Sequence, residues 1–301
     1  MEPNNRDVAK DVYTLVTDRI IELLEAGTIP WRKPWTEQGL PQNLISKRYY
    51  RGINLMLLNS LDFHSNLFLT WKQLKTISAS VKKGEKGTLV VFRKMIEQEV
   101  EKNGKTSIES RSVLRYYKVF NIDQCTDIPS AFLPVESNHN EPMQEYALIA
   151  SQMKDPPEIL HHEDAAFYDP DKDIISMPRL ESFESSEAYY GTLYHELIHS
   201  TGHSKRLNRK GIVENYDFGT EMYSEEELIA EIGACYLKSY TGIPITDLNN
   251  SASYIAEWLK VLKNNRRFIV IASGRSQQAV EYILPKAVPG EEQETSVDVL
   301  V

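Results

Sequence analysis

Apolar residues in the first 130 positions recur with two different periods. Residues 7–26 carry them at helical spacing, which predicts one amphipathic helix, and a shorter helix is predicted near 53–60. Two apolar and aromatic runs, 89–92 and 113–120, predict strands, and Asn103-Gly104 between them is a strong hairpin-turn signal. This region is therefore predicted to be a small mixed α+β domain with an antiparallel sheet.

From residue 143 onward the pattern is mainly helical. Three short runs, 158–162, 165–168 and 173–177, predict strands that can form a small sheet. The predicted helices lie near 143–153, between Ser185 and Gly202, and near 222–241, 251–264 and 267–284. The second region is therefore predicted to be a mainly helical domain with a short sheet, and the chain as a whole is α+β.

Prolines and polar residues separate the two patterned regions. Residues 129–142 contain three prolines among mostly polar side chains, which is typical of a linker. Residues 287–301 are acidic and are predicted to be a disordered tail. The predicted organisation is a first domain over 1–128, the linker, a second domain over 143–286, and the tail.

The composition is that of a globular protein. Of the 301 residues, 41% are apolar, and no apolar run approaches the roughly 18 residues of a membrane-spanning helix. No membrane partner is therefore predicted, and the polar N-terminal residues predict no signal peptide. The two cysteines, Cys125 and Cys235, form no CxxC pair, which favours a reduced, cytoplasmic location.

Charge is distributed unevenly over a chain whose net charge is −9. Residues 1–128 hold 20 Lys and Arg against 15 Asp and Glu, which gives +5. Residues 129–301 hold 14 against 28, which gives −14. This contrast indicates two domains with different partners.

A His-Glu-x-x-His motif, from His195 to His199, lies on the helix predicted after Ser185. Two histidines four residues apart on a helix lie one turn apart on one face, so both imidazoles can reach one metal ion. Glu196 beside the first histidine can take a proton from a water molecule bound to that metal. The motif predicts a Zn²⁺ site, with Mn²⁺ or another divalent metal as the alternative.

The third ligand must come from another segment. The long form of the motif requires His at its eleventh position, which here is Lys205, and His203 comes too early to be counted as a ligand. The acidic segment 225–231 resembles the gluzincin pattern, which implies Glu227 as the ligand and Glu231 as a second-shell acceptor. The spacing by itself also allows the reverse assignment. His203 is predicted to lie just outside the metal ligands. His203 and Tyr223 are both candidates for stabilising the oxyanion of the reaction.

Basic and aromatic residues alternate through the first domain. An unpaired base can stack on an aromatic ring at about 1–3 kcal/mol per base, while Lys and Arg follow the backbone. This pattern predicts binding of single-stranded DNA. The alternative for Trp31 or Trp35 is that the ring packs in a small core. The candidate DNA-binding residues are Trp31, Arg32, Lys33, Trp35, Tyr50, Arg51, Trp71, Lys72, Lys82, Lys83 and Lys86.

Several of these motifs together resemble the ArdC-like antirestriction proteins of conjugative plasmids and mobile elements. The resemblance covers about 7–285, in the family's order. The motifs that carry it are Pro30-Trp31-Arg32-Lys33-Pro34-Trp35, Tyr50-Arg51-Gly52-Ile53-Asn54, Thr70-Trp71-Lys72-Gln73, Lys82-Lys83-Gly84-Glu85-Lys86-Gly87, Val119-Phe120-Asn121, Tyr189-Tyr190, the run from His195 to His203, Arg206-Leu207-Asn208-Arg209 and Glu226-Glu227-Leu228-Ile229-Ala230-Glu231.

The resemblance implies a single-stranded-DNA-binding domain followed by a zincin-like metallopeptidase domain that acts on a protein substrate still to be identified. It also implies a role in protecting incoming conjugated DNA from host restriction. Two alternatives stay open at this stage. One is a non-catalytic protein that occludes single-stranded DNA and keeps a structural or vestigial metal site, and the other is a metal-dependent nuclease.

Overall fold

A computed structural model of the chain describes residues 11–32, 40–61, 63–102, 105–133, 148–161, 165–214, 221–243 and 252–284. Within these ranges the fold is mixed α+β, as predicted, and it separates into two compact units. No helix in this part of the chain is long and apolar enough to cross a bilayer. The predicted acidic tail, and the predicted linker from residue 134 onward, lie outside the described residues.

The first unit is built on a four-stranded sheet with the order β1-β2-β5-β4. β3 and β6 form a separate two-stranded sheet. β1 runs parallel to β2, and the other neighbours in the four-stranded sheet are antiparallel. The strands are β1 (Gln42–Asn43), β2 (Leu67–Thr70), β3 (Ser80–Val81), β4 (Thr88–Lys102), β5 (Lys105–Asn121) and β6 (Cys125–Thr126).

β4 and β5 form one long hairpin. The pairing runs from Thr88 opposite Val119 to Lys102 opposite Lys105. This register leaves two residues for the turn, at the place where Asn103-Gly104 predicted it, although these two lie outside the described residues.

The sheet is covered on both faces near the base of this hairpin because successive residues of a strand point to opposite sides. Leu69 of β2 packs in one apolar cluster with Leu44 and Leu74. Its neighbour Phe68 packs in the other cluster, with Val119 of β5.

Three helices flank this sheet: α1 (Val12–Glu25), α2 (Ile53–Asn59) and α3 (Trp71–Thr76). α3 begins at a reciprocal cap. The Thr70 hydroxyl accepts a hydrogen bond from the Gln73 N–H at 3.2 Å, and the Gln73 side chain accepts one from the Thr70 N–H at 2.9 Å. This cap fixes where β2 ends and where Trp71 emerges from the fold.

The second unit combines a small sheet with two packed helices. Its sheet has the order β7-β9-β8, with β7 parallel and β8 antiparallel to β9. Its elements are α4 (Leu148–Gln152), β7 (Glu158–Leu160), β8 (Phe167–Asp169), β9 (Ile174–Ser176), α5 (Ser186–Thr201), α6 (Lys210–Val213) and α7 (Glu221–Thr241).

α5 and α7 approach each other closely. The Ser185 hydroxyl caps the start of α5 by accepting from the Ala188 N–H at 3.2 Å, and the helix ends before Gly202, as the sequence predicts. A Cβ atom on Gly233 of α7 would lie 2.7 Å from Cδ1 of Ile198. Glycine at this position is therefore what allows the two helices to come together.

The last two helices, α8 (Ala252–Asn264) and α9 (Phe268–Ile283), change the predicted division of the chain. The sequence places both in the second domain, whereas the structure groups residues 252–274 with the first unit. The physical reason is packing against α1 and the turn that follows it. The Trp258 ring lies edge-on to Trp31 at 6.4 Å, and Arg266 pairs with Asp18 at 2.8 Å.

Candidate metal centre and nucleic-acid surface

α5 and α7 bring three potential metal ligands to one point in the second unit. His195 and His199 lie one turn apart on α5, and Glu227 faces them from the second turn of α7. The two Nε2 atoms are 3.1 Å apart. The Glu227 carboxylate lies 3.5 Å from His195 Nε2 and 3.7 Å from His199 Nε2.

These separations fit a single divalent metal ion. Ligand atoms about 2.05 Å from a tetrahedral ion lie about 3.3 Å from one another, which falls among the three observed distances. All three ligand atoms lie within 4.8 Å of one another, and no other group of three His, Cys, Asp or Glu among the described residues does so. Two imidazole nitrogens and one carboxylate oxygen form a set that suits Zn²⁺ and also accepts Mn²⁺.

The electrostatic field at this point favours a cation. Burial on its own would lower the pKa of His199, but the carboxylates of Glu226, Glu227 and Glu196 outweigh it and raise the pKa. Burial would likewise raise the pKa of Glu227, yet its contacts with the two histidines and Tyr223 lower it, so Glu227 stays ionised.

Glu196 and Tyr223 are two further polar groups beside the three ligands. Glu196 is buried, and its charge is felt by both His199 and Tyr223. Burial, followed by the charge of Glu227, raises the pKa of Tyr223 to about 12. The Tyr223 hydroxyl therefore stays protonated at neutral pH and donates a hydrogen bond to Glu227.

Glu226 and Arg209 form a buried pair behind His199 that the sequence analysis missed. His199 Nδ1 lies 3.3 Å from Glu226 Oε1, and the Arg209 Nε donates to Glu226 Oε2 at 2.9 Å. The side chains of Arg209 and Glu226 are only 6% and 5% exposed. A carboxylate on Nδ1 holds the imidazole so that Nε2 faces the metal position.

Two arginines close the C-terminal end of α5, where helix carbonyls have no partner within the helix. Arg209 donates to the Ile198 carbonyl at 2.8 Å and to the Thr201 hydroxyl at 2.6 Å. Arg206 donates to the Ser200 carbonyl at 2.7 Å. Both arginines belong to one of the motifs that carry the family resemblance, but nothing in the sequence alone assigned them this role.

Arg206 also joins α5 to the small sheet. Its guanidinium pairs with Asp173 and donates to the Tyr168 hydroxyl at 3.1 Å. Burial by itself would raise the pKa of Asp173, but the hydrogen bonds from Arg206 and Tyr168 outweigh it and lower the pKa. The end of the motif helix is thereby tied to the turn between β8 and β9.

The carboxylate beside His199 Nδ1 is that of Glu226. Glu231, a half-buried residue one turn beyond Glu227, stays a predicted acceptor for the second ring nitrogen of a ligand histidine. His203 lies past the end of α5, where its Nδ1 accepts from the Lys205 N–H at 3.2 Å.

Two of the predicted DNA-contacting rings in the first unit belong to the core. Trp31 is 2% exposed and packs on Trp258, and Tyr50 is 8% exposed with its ring edge-on to Phe68. A ring enclosed in this way offers no face to a base, so the prediction is wrong for Trp31 and Tyr50. Burial also raises the pKa of the Tyr50 hydroxyl.

The other predicted DNA-contacting residues differ in exposure. Trp71 is 52% exposed, and Arg32 and Arg51 are half-buried. Lys33 and Trp35 lie outside the described residues. The exposed basic residues of the predicted set are Lys72, Lys82, Lys83 and Lys86.

Two different protein families match the first and the second part of the chain. Residues 10–120 match the N-terminal domain of the anti-restriction factor ArdC. Residues 148–275 match a zincin-like metallopeptidase family.

Two solved structures resemble almost the whole chain. They are the metal-free and Mn(II)-bound crystal structures of the antirestriction protein ArdC from plasmid R388, each 34% identical in sequence. The metal-free structure has a TM-score of 0.73, with 92% of this chain and 98% of that chain covered. The Mn(II)-bound structure has a TM-score of 0.72, with 94% and 100% covered.

Three curated proteins are also similar. Two DNA primases TraC from Escherichia coli are 33% and 32% identical over 93% and 92% of this chain. The chain spans only 20% and 27% of the length of these two primases. Protein y4eC of Sinorhizobium fredii is 29% identical, with 91% of both chains covered.

Proposed function

Because the chain belongs to the ArdC-like family of antirestriction proteins, we propose that it binds single-stranded DNA through its first unit and hydrolyses peptide bonds at a zinc centre in its second. Its biological role would be to protect the DNA of a mobile element from host restriction. The observation that carries the proposal is the convergence of His195, His199 and Glu227 on one point, with Glu196 beside it.

The chemistry of the second unit follows from the residues around this point. A zinc ion held by His195, His199 and Glu227 would act as a Lewis acid that lowers the pKa of a bound water from 15.7 toward about 7. The Glu196 carboxylate would take the proton of the attacking water and deliver it to the departing amine.

Tyr223 is the better of the two candidates for stabilising the oxyanion of the tetrahedral intermediate. Its hydroxyl is protonated and lies beside Glu227 and Glu196. The His203 ring instead lies past the end of α5 and accepts from the backbone of Lys205. A donor must be close to the reacting carbonyl to act in this way, and the position of Tyr223 beside Glu227 and Glu196 favours it over His203.

Single-stranded DNA is proposed as the ligand of the first unit. The support is the excess of basic residues over 1–128, the exposed Trp71, and the exposed lysines at 72, 82, 83 and 86. Exposed aromatic rings among basic side chains suit unpaired bases, whose faces are free to stack. We further propose a cytoplasmic location, which agrees with the two free cysteines, Cys125 and Cys235.

A metal-dependent nuclease is the weaker alternative for the second unit. Nucleases with hydrolytic metals usually hold two ions about 3.5–4 Å apart between several carboxylates. Among the described residues the one cluster of potential ligands has two histidines and a single carboxylate. This ligand set favours hydrolysis at one metal ion.

The decisive experiment uses Glu196→Gln in the full-length protein. The variant should keep its metal, measured by mass spectrometry of the dialysed protein, and should cleave fluorescein-labelled casein about 10²–10⁴-fold more slowly, with and without single-stranded DNA. Glu187→Gln, on the first turn of the same helix, is the matched control and should cleave normally.

Two outcomes would count against the peptidase. Undiminished cleavage by Glu196→Gln would remove Glu196 from the reaction. Full protection of transferred DNA from restriction by the same variant would favour the non-catalytic alternative, in which the first unit occludes DNA and the metal site is structural.

A further inference from the structure

One face of the β4–β5 hairpin carries aromatic and basic side chains in alternation. Tyr116 and Lys118 are exposed there, whereas Phe120 is half-buried against the apolar cluster of Leu44 and Leu69. Antiparallel partners share a face, so the face that holds Lys118 opposite Leu89 also holds Tyr116 opposite Val91. A Cβ on Gly87 would lie 3.0 Å from the Phe120 ring and 3.1 Å from Lys118 Cβ, which places both side chains on this same side.

The row continues beyond the strand at both ends. The Trp71 ring at the start of α3 lies 5.7 Å from the Phe120 ring, and Lys75 Nζ is 6.0 Å from the centre of the Trp71 ring. At the other end the exposed Arg93, opposite Leu114, is the diagonal neighbour of Tyr116 at about 7 Å.

We propose that this row, the aromatic–basic track of Trp71, Phe120, Lys118, Tyr116 and Arg93, is the surface on which the first unit holds single-stranded DNA. The proposal rests on the proposed function of that unit and names its contact residues. Trp71 and Tyr116 are 52% and 47% exposed, and each offers a ring to a base. Lys118 and Arg93 lie between and beyond the rings, where they can meet phosphates.

The charge of this face favours a nucleic acid, and the separation of its rings favours an unpaired strand. The positions of this face from Gly87 to Met95 and from Ser112 to Phe120 hold no Asp or Glu. Tyr116 and Phe120 are four residues apart on one strand, a separation of about 13 Å, whereas successive bases of a duplex stack about 3.4 Å apart along its axis. Rings this far apart suit bases that are unstacked and splayed apart, as they are in a single strand.

The opposite face of the hairpin is less suited to stacking. Its rings, Phe92 and Tyr117, pack against each other at 5.7 Å and are half-buried. Tyr117 also packs against the apolar cluster that contains Val90 and Val119. The basic residues on that face therefore lack an open aromatic neighbour.

The test measures fluorescence anisotropy of a labelled oligothymidylate with the full-length protein over a salt series. Trp71→Ala and Tyr116→Ala should each weaken binding about 5- to 150-fold, the equivalent of one lost stacking contact. Trp71→Phe should retain most of the affinity. Lys118→Ala should reduce the slope of the logarithm of the binding constant against the logarithm of the salt concentration by about 0.7. Phe167→Ala, which removes a 37% exposed ring from the second unit, is the matched control.

Intrinsic fluorescence gives a second reading that a change in folding would not imitate. Oligothymidylate should quench the tryptophan emission of the wild type, and the quenching should be largely lost in Trp71→Phe while binding is kept. Thermal unfolding of each variant checks that the first unit is intact.

The possible failures are distinguishable. If the wild type binds the oligonucleotide and Trp71→Ala and Tyr116→Ala bind it equally well, the track is wrong and the DNA-binding function stands. If the wild type itself does not bind at low salt, both proposals fall. Equal affinity for an oligouridylate would overturn the assignment to DNA.

Discussion

The candidate metal centre of the second unit and the aromatic–basic track of the first use charged residues in opposite ways. Behind the metal position, Arg209 and Glu226 form a buried charged pair with side chains 6% and 5% exposed. On the track the working groups are open to solvent, with Trp71 52% and Tyr116 47% exposed.

This difference agrees with the function proposed for each site. A hydrolytic centre would need its ligands oriented before the substrate arrives, and buried charged partners would hold them in place. A surface that follows a flexible strand would gain from exposed rings and lysines, which cost the fold little. Substitutions of the buried pair should therefore damage folding, and substitutions on the track should damage ligand binding.

The buried pair should produce the largest effect. Arg209→Met is expected to lower the free energy of unfolding by about 3–5 kcal/mol, because it leaves the Glu226 carboxylate buried without its counter-charge. Urea denaturation followed by circular dichroism measures this. The double variant Arg209→Met/Glu226→Leu should regain most of the loss, since it removes both charges. A single variant as stable as the wild type would break the contrast between the two sites.

Two tryptophans of the first unit sharpen the contrast from the other side. Trp31→Ala should cost about 3–5 kcal/mol of stability because it empties a buried site against Trp258. Trp71→Ala should cost less than about 1 kcal/mol because the ring is largely exposed. Thermal unfolding measures the loss of stability, which should be larger for Trp31→Ala. The loss of DNA affinity, measured on the folded proteins, should be larger for Trp71→Ala. The same order in both measurements would contradict the separation of core from binding surface.

Neighbouring glutamates on α7 test whether the buried shell acts on the metal. Glu226→Gln should weaken zinc binding about 10- to 100-fold, because the amide holds His199 Nδ1 less firmly than the carboxylate does. Competition with a chromophoric chelator measures the affinity without any need for a substrate. Glu225→Gln is the matched control, since Glu225 pairs with Arg275 and has no contact with the ligands in the described network. Equal affinities of the two variants would remove Glu226 from the metal site.

The smallest effect is expected at the pair of Arg206 and Asp173, and it should depend on pH. The pKa of Asp173 is lower in the folded protein than its ordinary value of 3.8. The pair therefore stabilises the fold fully above about pH 4, and the contribution is lost as the pH falls through the lowered value. Asp173→Asn should be about 1–3 kcal/mol less stable than the wild type at pH 7.

Urea midpoints of the wild type and Asp173→Asn between pH 7 and pH 3 provide the measurement. The two curves should approach each other below about pH 4, because the Asp173 carboxyl is protonated there in the unfolded protein before it is protonated in the folded one. A gap that stays constant down to pH 3 would show that the charge of Asp173 does not contribute.

Much of the fold and the location of the candidate metal centre could be read from the sequence. The α+β class, the two-part organisation and the resemblance to the ArdC-like family are confirmed. Local patterns suffice for such predictions because a residue's neighbours in the chain determine which side chains share one face of a helix. His195 and His199 lie together for that reason alone, and Ser185 and Gly202 mark the ends of their helix.

Only the tertiary structure decided which faces meet. Helical spacing puts Glu226 and Glu227 side by side, but only the packing of α7 on α5 turns one toward the Arg209 side and the other toward both Nε2 atoms. The same holds for the tryptophans. A tryptophan among basic residues gives the same local sequence pattern whether its ring is buried or exposed. Trp31 is enclosed since α8, more than 200 residues later in the chain, brings Trp258 against it. A contact of this kind has no signature in the local sequence, so its partner becomes visible only when the chain is folded.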